Sequence, residues 1–94
     1  MYTENDYRIL KNIGDKNDNK KGFTKLNATT INEIVDKTEL SYNKVRGTLM
    51  RFLNDGMVDY GVQKGRTKTY HLTIKGLTVL SSINTDIKEE LEDE

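Results

Sequence analysis

With 94 residues, the chain accommodates one small domain with a correspondingly small hydrophobic core. Hydrophobic residues make up 34% and charged residues 32%; the absence of cysteine excludes both a disulfide framework and a thiolate metal site. The net charge of zero is uneven: residues 86–94 hold six acids against Lys88, leaving residues 1–85 with 14 bases, nine acids and a charge of +5.

The start, Met1-Tyr2-Thr3-Glu4-Asn5-Asp6, lacks the basic and then apolar order of a signal peptide. No apolar run approaches the ~20 residues that span a bilayer, so a cytoplasmic location is expected. Tyr7, Ile9, Leu10 and Ile13 recur at helical spacing and predict a helix over 6–13, ending near Gly14. The polar, glycine-bounded stretch 14–22 reads as a loop, and Phe23 to Leu26 as a short extended or turn segment. A second helix is expected over 27–37. Thr30 and Glu33 have capping-box spacing there, with Asn27 and Thr29 as alternative caps.

Ser41 is a natural N-cap for a third helix over 42–54. Val45, Leu49, Phe52 and Leu53 form its apolar face, and Gly56 stops it. The opposite face carries Tyr42, Asn43, Lys44, Arg46, Gly47, Thr48 and Arg51. The period then changes to two. Val58, Tyr60 and Val62 form one strand, and Lys68, Tyr70 and Leu72 share one side of another, joined by a turn over 63–67. A last helix runs from Ile74 to about Glu90, capped by Thr73, with Ile74, Leu77, Leu80, Ile83, Ile87 and Leu91 along one stripe.

The expected fold class is therefore α+β and mostly α: a winged helix-turn-helix with a two-stranded β-hairpin wing and a C-terminal helix. Residues 1–85 form the domain and residues 86–94 an acidic tail. Each part suits double-stranded DNA. The start of the third helix can place Tyr42, Asn43, Lys44 and Arg46 against base edges in a major groove, where Asn pairs with adenine and Arg or Lys with guanine. Gly47 and Thr48 are small enough for close approach, Ser41 and the free amides beside it can receive a phosphate, and Arg51 adds charge. Lys64, Arg66 and Lys68 suit the wing to the backbone or a narrow minor groove. Ile34, Val45, Leu49, Leu53, Tyr70 and Leu72 are the expected core, closed by Ile74 and Leu77. Leu80, Ile83, Ile87 and Leu91 continue past it and are expected to make a homodimer.

Leu40-Ser41 through Gly56-Met57-Val58 resembles the core of winged-helix regulators. Gly65-Arg66-Thr67-Lys68-Thr69-Tyr70-His71-Leu72-Thr73-Ile74-Lys75-Gly76 resembles their wing strand and helix entry. The likeness covers roughly residues 24–80 and extends to compact bacterial repressors of the MarR and ArsR type. Leu26-Asn27 and the Gly65-Arg66-x-Lys68-x-Tyr70 wing also look like TubR-type centromere-binding adaptors of tubulin-based partition systems. The chain is shorter than the MarR type, without its long N-terminal dimerisation arm, and it lacks the Cys or His metal clusters of ArsR-type sensors.

The resemblance implies a dimeric DNA-binding repressor with no cofactor and no metal. The second reading is a partition adaptor that hands repeated DNA sites to a filament-forming partner. The third is a winged-helix protein-interaction module that does not touch DNA. His71, the only histidine, is expected to be structural, and no nucleophile, paired-carboxylate or phosphate-loop motif points to an enzyme.

Overall fold

In the computed structural model, which describes residues 2–14 and 21–82, the first helix, α1 (Glu4–Ile13), begins two residues earlier than the periodicity alone suggests. The reason is a capping box. Thr3 accepts from the Asp6 amide at 3.2 Å, and the Asp6 carboxylate accepts from the Thr3 amide at 2.9 Å. The α1 stripe Ile9, Leu10 and Ile13 is fully buried.

The expected second helix is shorter than its pattern. Thr29 and Thr30 form a strand, β1 (Thr29–Thr30), and α2 (Ile31–Thr38) starts only after Thr30, which caps it in a capping box with Glu33. Of the three candidate caps, Thr30 is the one used. A left-handed residue, Glu39 at φ 60°, ends α2 and donates its amide to the Val35 carbonyl at 2.8 Å. Ser41 then caps α3 (Tyr42–Asn54), accepting from the Lys44 amide at 3.1 Å. The turn of a helix-turn-helix is thus Glu39, Leu40 and Ser41.

After α3, Gly56 adopts φ 77°, and β2 (Val58–Tyr60) and β3 (Thr69–Leu72) pair antiparallel with Val58 opposite Leu72 and Tyr60 opposite Tyr70. The sheet has three strands rather than the two expected, in the order β1-β3-β2, because Thr29 and Thr30 pair with Tyr70 and Thr69. A two-residue strand gives too short a run to show a period of two. Gly61 allows the close approach here, since a Cβ on it would lie 2.4 Å from Ala28 Cβ and 2.8 Å from the Lys25 carbonyl oxygen.

The last helix, α4, is described over residues 74–82. Thr73 caps it, accepting from the Gly76 amide at 3.1 Å while donating to the Gly56 carbonyl at 2.6 Å. Gly76 lies hard against the turn before β2: a Cβ there would be 2.1 Å from the Met57 carbonyl oxygen.

One core unites all of these elements: Ile9, Leu10 and Ile13 of α1, Ile34 of α2, Val45, Leu49 and Phe52 of α3, and Tyr70 and Leu72 of β3. Two assignments on α4 are corrected. Ile74 is 85% exposed and does not close the core, whereas Leu80, expected at a dimer interface, is 6% exposed within the core cluster. In the first turn of α4 it is Gly76 that packs inward, against Met57, while Ile74 points to solvent, so the apolar stripe reaches the core from Leu77 onward. Ile83, Ile87, Leu91 and the acidic tail over 86–94 lie outside the described residues.

Candidate nucleic-acid interface

The polar surface of α3 is divided in two. Tyr42, Arg46 and Met50, four residues apart, face the wing, with exposed Asn43 and Gly47 beside them. Lys44, Thr48 and Arg51 form a separate seam that faces α1. The split follows from helix geometry: rows displaced by two positions lie roughly 160° apart on one turn, too far to share a neighbour.

The wing-facing row lines a groove of about 400 Å³ between α3 and the sheet, closed at one end by Ile31 and Asn32 of α2. Its far wall is Tyr60, Arg66, Thr67, Lys68 and Tyr70. Lys68 stands 5.3 Å above the Tyr60 ring, and the Tyr60 and Tyr70 rings are 5.5 Å apart. Burial, then the neighbouring Tyr60 and Tyr42, push the Tyr70 hydroxyl up in pKa, partly offset by Arg46, so it stays a protonated donor. The groove therefore offers cations on both walls and aromatic and thioether surface between them, a lining suited to a phosphodiester with its sugars and bases.

The wing tip is a tight turn. Lys64 and Thr67 exchange amide bonds of 3.1 and 3.0 Å, and Gly65 takes φ 63°. Lys64 and Arg66 project from it, exposed. Among the described residues, Arg46, Lys64, Arg66 and Lys68 form no ion pair, so their charge is available to a ligand.

The seam behaves differently. The Asp6 carboxylate, 0% exposed, accepts from Thr48 Oγ1 at 3.0 Å, Lys44 Nζ at 3.0 Å and Arg51 Nη2 at 3.1 Å, besides the Thr3 amide. Burial alone would raise its pKa, but the bonds from Thr3, Lys44 and Thr48 hold it well below the usual carboxylate range.

Four of the expected site residues also have partners within the chain. Thr48 is 2% exposed and bonded inward, so it does not sit on the open face. Lys44 and Arg51 are drawn to Asp6, 38 and 45 residues away in sequence. Ser41 is exposed and caps α3 with its hydroxyl oxygen as acceptor, which leaves its O–H as a donor. Tyr42, Asn43, Arg46, Gly47, Lys64, Arg66 and Lys68 are all exposed on the groove, α3 or the wing. Sequence reasoning missed Met50, Tyr60 and Tyr70 as groove residues; Met50 was accessible, being the next step in the spacing of Tyr42 and Arg46. Among the described residues no group of His, Asp and Glu could hold a metal ion, and no helix is long and apolar enough to cross a membrane.

No family model and no curated protein matches the sequence. Solved structures do match. The DNA-binding TubR fragment from Clostridium botulinum is 28% identical, with 88% of this chain and 98% of that chain covered and a TM-score of 0.69. MepR, a transcription regulator of the Staphylococcus aureus multidrug efflux pump MepA, is 19% identical, with 97% of this chain and 61% of that chain covered and a TM-score of 0.74. MepR in complex with DNA matches with a TM-score of 0.72 at 18% identity, covering 96% of this chain and 67% of that chain. A MarR family protein from Bacillus stearothermophilus is 15% identical, with 98% of this chain and 58% of that chain covered and a TM-score of 0.75. The chain thus spans nearly the whole TubR fragment but about three fifths of the free MepR and MarR-type chains. At these lower identities the likeness is one of fold.

Proposed function

We propose, from the premise that the chain is a winged helix-turn-helix protein, that it binds double-stranded DNA sequence-specifically as a dimeric transcriptional regulator, a repressor. The observation that carries the reading is the groove, with Arg46 on one wall and Arg66 and Lys68 on the other. In this reading α3 enters the major groove and presents Tyr42, Asn43 and Arg46 to base edges. Gly47 faces the groove floor, where nothing lies within 4 Å of a Cβ built on it. Lys64, Arg66 and Lys68 hold the backbone and set the register.

The dimer rests on the sequence stripe Ile83, Ile87 and Leu91, with Leu80 assigned to the chain's own core. Pairing through that stripe would set two recognition helices about one DNA turn apart, ~34 Å, and select an inverted repeat.

A second reading is favoured by the 28% identity that runs through 98% of the TubR fragment. Here the chain coats repeated centromere-like sites and hands them to a filament-forming partner. Both readings use the same groove. They differ in the DNA selected, a single inverted repeat for a repressor and an array of repeats for an adaptor.

Anisotropy titration of labelled duplex against salt tests the binding itself. Each phosphate contact adds ~0.9 to the slope of log affinity against log salt. A steep slope supports DNA binding. Negligible affinity even at low salt would instead mean a protein-interaction module. Sequencing the DNA that co-purifies with the chain then separates repressor from adaptor.

A further inference from the structure

Resting on the DNA-binding reading above, we propose that Asp6 is a specificity-determining residue: it withdraws Lys44 and Arg51 from the cations that bind phosphate and so holds down affinity for DNA of any sequence.

Three observations carry this. First, Asp6 is completely buried between α1 and α3, and four donors, one from the start of α1 and three from α3, converge on its two oxygens within 3.1 Å. Second, both cations remain partly exposed, 36% for Lys44 and 46% for Arg51, on the helix that carries Arg46. Both lie near enough to solvent to meet a phosphate, Arg51 also standing 5.4 Å from the Tyr2 ring centroid. Third, Lys44, Thr48 and Arg51 form one row, so a single carboxylate can hold the whole seam.

The energetic argument concerns what either cation would leave behind. A bond from Lys44 or Arg51 to phosphate replaces one charge-assisted bond by another. It also leaves part of a buried carboxylate unpaired, which is strongly unfavourable. The negative charge of Asp6 remains beneath this flank of α3 and offsets one of the two positive charges. Phosphate contacts carry the sequence-independent part of binding. Removing two of them lowers affinity for all sites alike and leaves discrimination to Asn43, Arg46 and the groove.

The test uses the full chain, an unrelated random-sequence duplex and a selected site, each titrated over a salt series. Wild type, Asp6→Asn, a Lys44→Gln/Arg51→Gln double variant and Arg46→Ala are compared. Asp6→Asn keeps the size of the side chain and removes its charge. It should bind the random duplex more tightly, with a slope steeper by ~0.9 for each cation released. The ratio of selected-site to random affinity should fall. The double variant should melt earlier yet keep the wild-type slope, since neither cation touches phosphate while paired, whereas Arg46→Ala should lose both affinity and preference.

A folded Asp6→Asn with unchanged random-duplex affinity overturns the proposal. So does a double variant whose slope falls by ~0.9 or more, because Lys44 or Arg51 would then be touching phosphate while paired. If Asp6→Asn fails to fold, the double variant decides alone. A wild-type chain that binds no duplex at low salt defeats the DNA-binding reading itself, which is a separate outcome from either of these.

Discussion

Thr48, in the middle of α3, donates its hydroxyl to the carboxylate of Asp6 on the first helix across 3.0 Å. The two residues are 42 positions apart, and their bond adds to the buried face of Val45, Leu49 and Phe52 in fixing which side of α3 turns inward. With Thr48 turned inward, Tyr42, Arg46 and Met50 must face the wing. The groove face is thus set together with the contacts made on the other side of the helix.

Thr48→Val keeps the shape of the side chain and removes the donor. Loss of one bond to a buried charged group should cost about 1.5–3 kcal/mol. Chemical denaturation read by circular dichroism gives the change. A loss near zero would mean that Lys44 and Arg51 satisfy Asp6 without help.

Acid should unfold the chain partly through Asp6. Its folded pKa lies below the ordinary carboxylate value, so its stabilising effect is fully present above about pH 4–5 and is lost as pH falls towards the folded pKa. Melting temperatures between pH 2 and pH 7 should fall steeply at the acid end for wild type. Asp6→Asn should start lower at neutral pH and fall less. Parallel curves for the two proteins would show that other carboxylates, Glu33 among them, carry the acid response.

Gly47 is exposed in mid-helix with open space around a built Cβ. Gly47→Ala should raise stability by up to ~1 kcal/mol through helix propensity alone. In the DNA-binding reading the same methyl obstructs the groove floor, so affinity should fall while stability rises. A variant that gains stability and binds DNA as before would place the closest approach elsewhere on α3.

Glu39 is the only non-glycine described residue with a positive φ, at 60°. Glu39→Gly should relieve that conformation and stabilise the chain by roughly 0.5–1 kcal/mol, net of the extra chain entropy of glycine. Thermal melts at neutral pH report it. Gly76→Ala should act in the opposite sense, because the added Cβ meets the Met57 carbonyl oxygen at 2.1 Å. A loss of 1–3 kcal/mol is expected there.

Arg66 and Arg46 should separate positioning from reading. Arg66→Ala should weaken binding to every duplex alike and reduce the salt slope by about 1, whereas Arg46→Ala should relax preference at one base pair by about 1–3 kcal/mol. Competition with point-mutated sites measures both. A change of base preference in Arg66→Ala alone would reverse the two roles.

Much of this protein was decided by short-range signals, and those are legible in the sequence. Thr30, Ser41 and Thr73 cap their helices from within three residues, and Gly56 and Gly65 turn the chain at their own φ. The 3.6-residue period placed Val45, Leu49 and Phe52 in the core, and the change to a period of two announced the wing. Periodicity, however, separates only apolar from polar. It cannot divide the polar face of α3 into a groove row and a buried seam, because that division depends on what packs against each side. Asp6 lies in another helix, and nothing local to Lys44, Thr48 or Arg51 marks them as its partners. The same limit hid β1, whose two residues become a strand only through pairing with β3, and it misplaced Ile74 and Leu80, because which side of α4 turns inward depends on its packing, with Gly76 against Met57. Local chemistry chose the elements; long-range contacts, above all those with Asp6, decided which side chains the elements leave free.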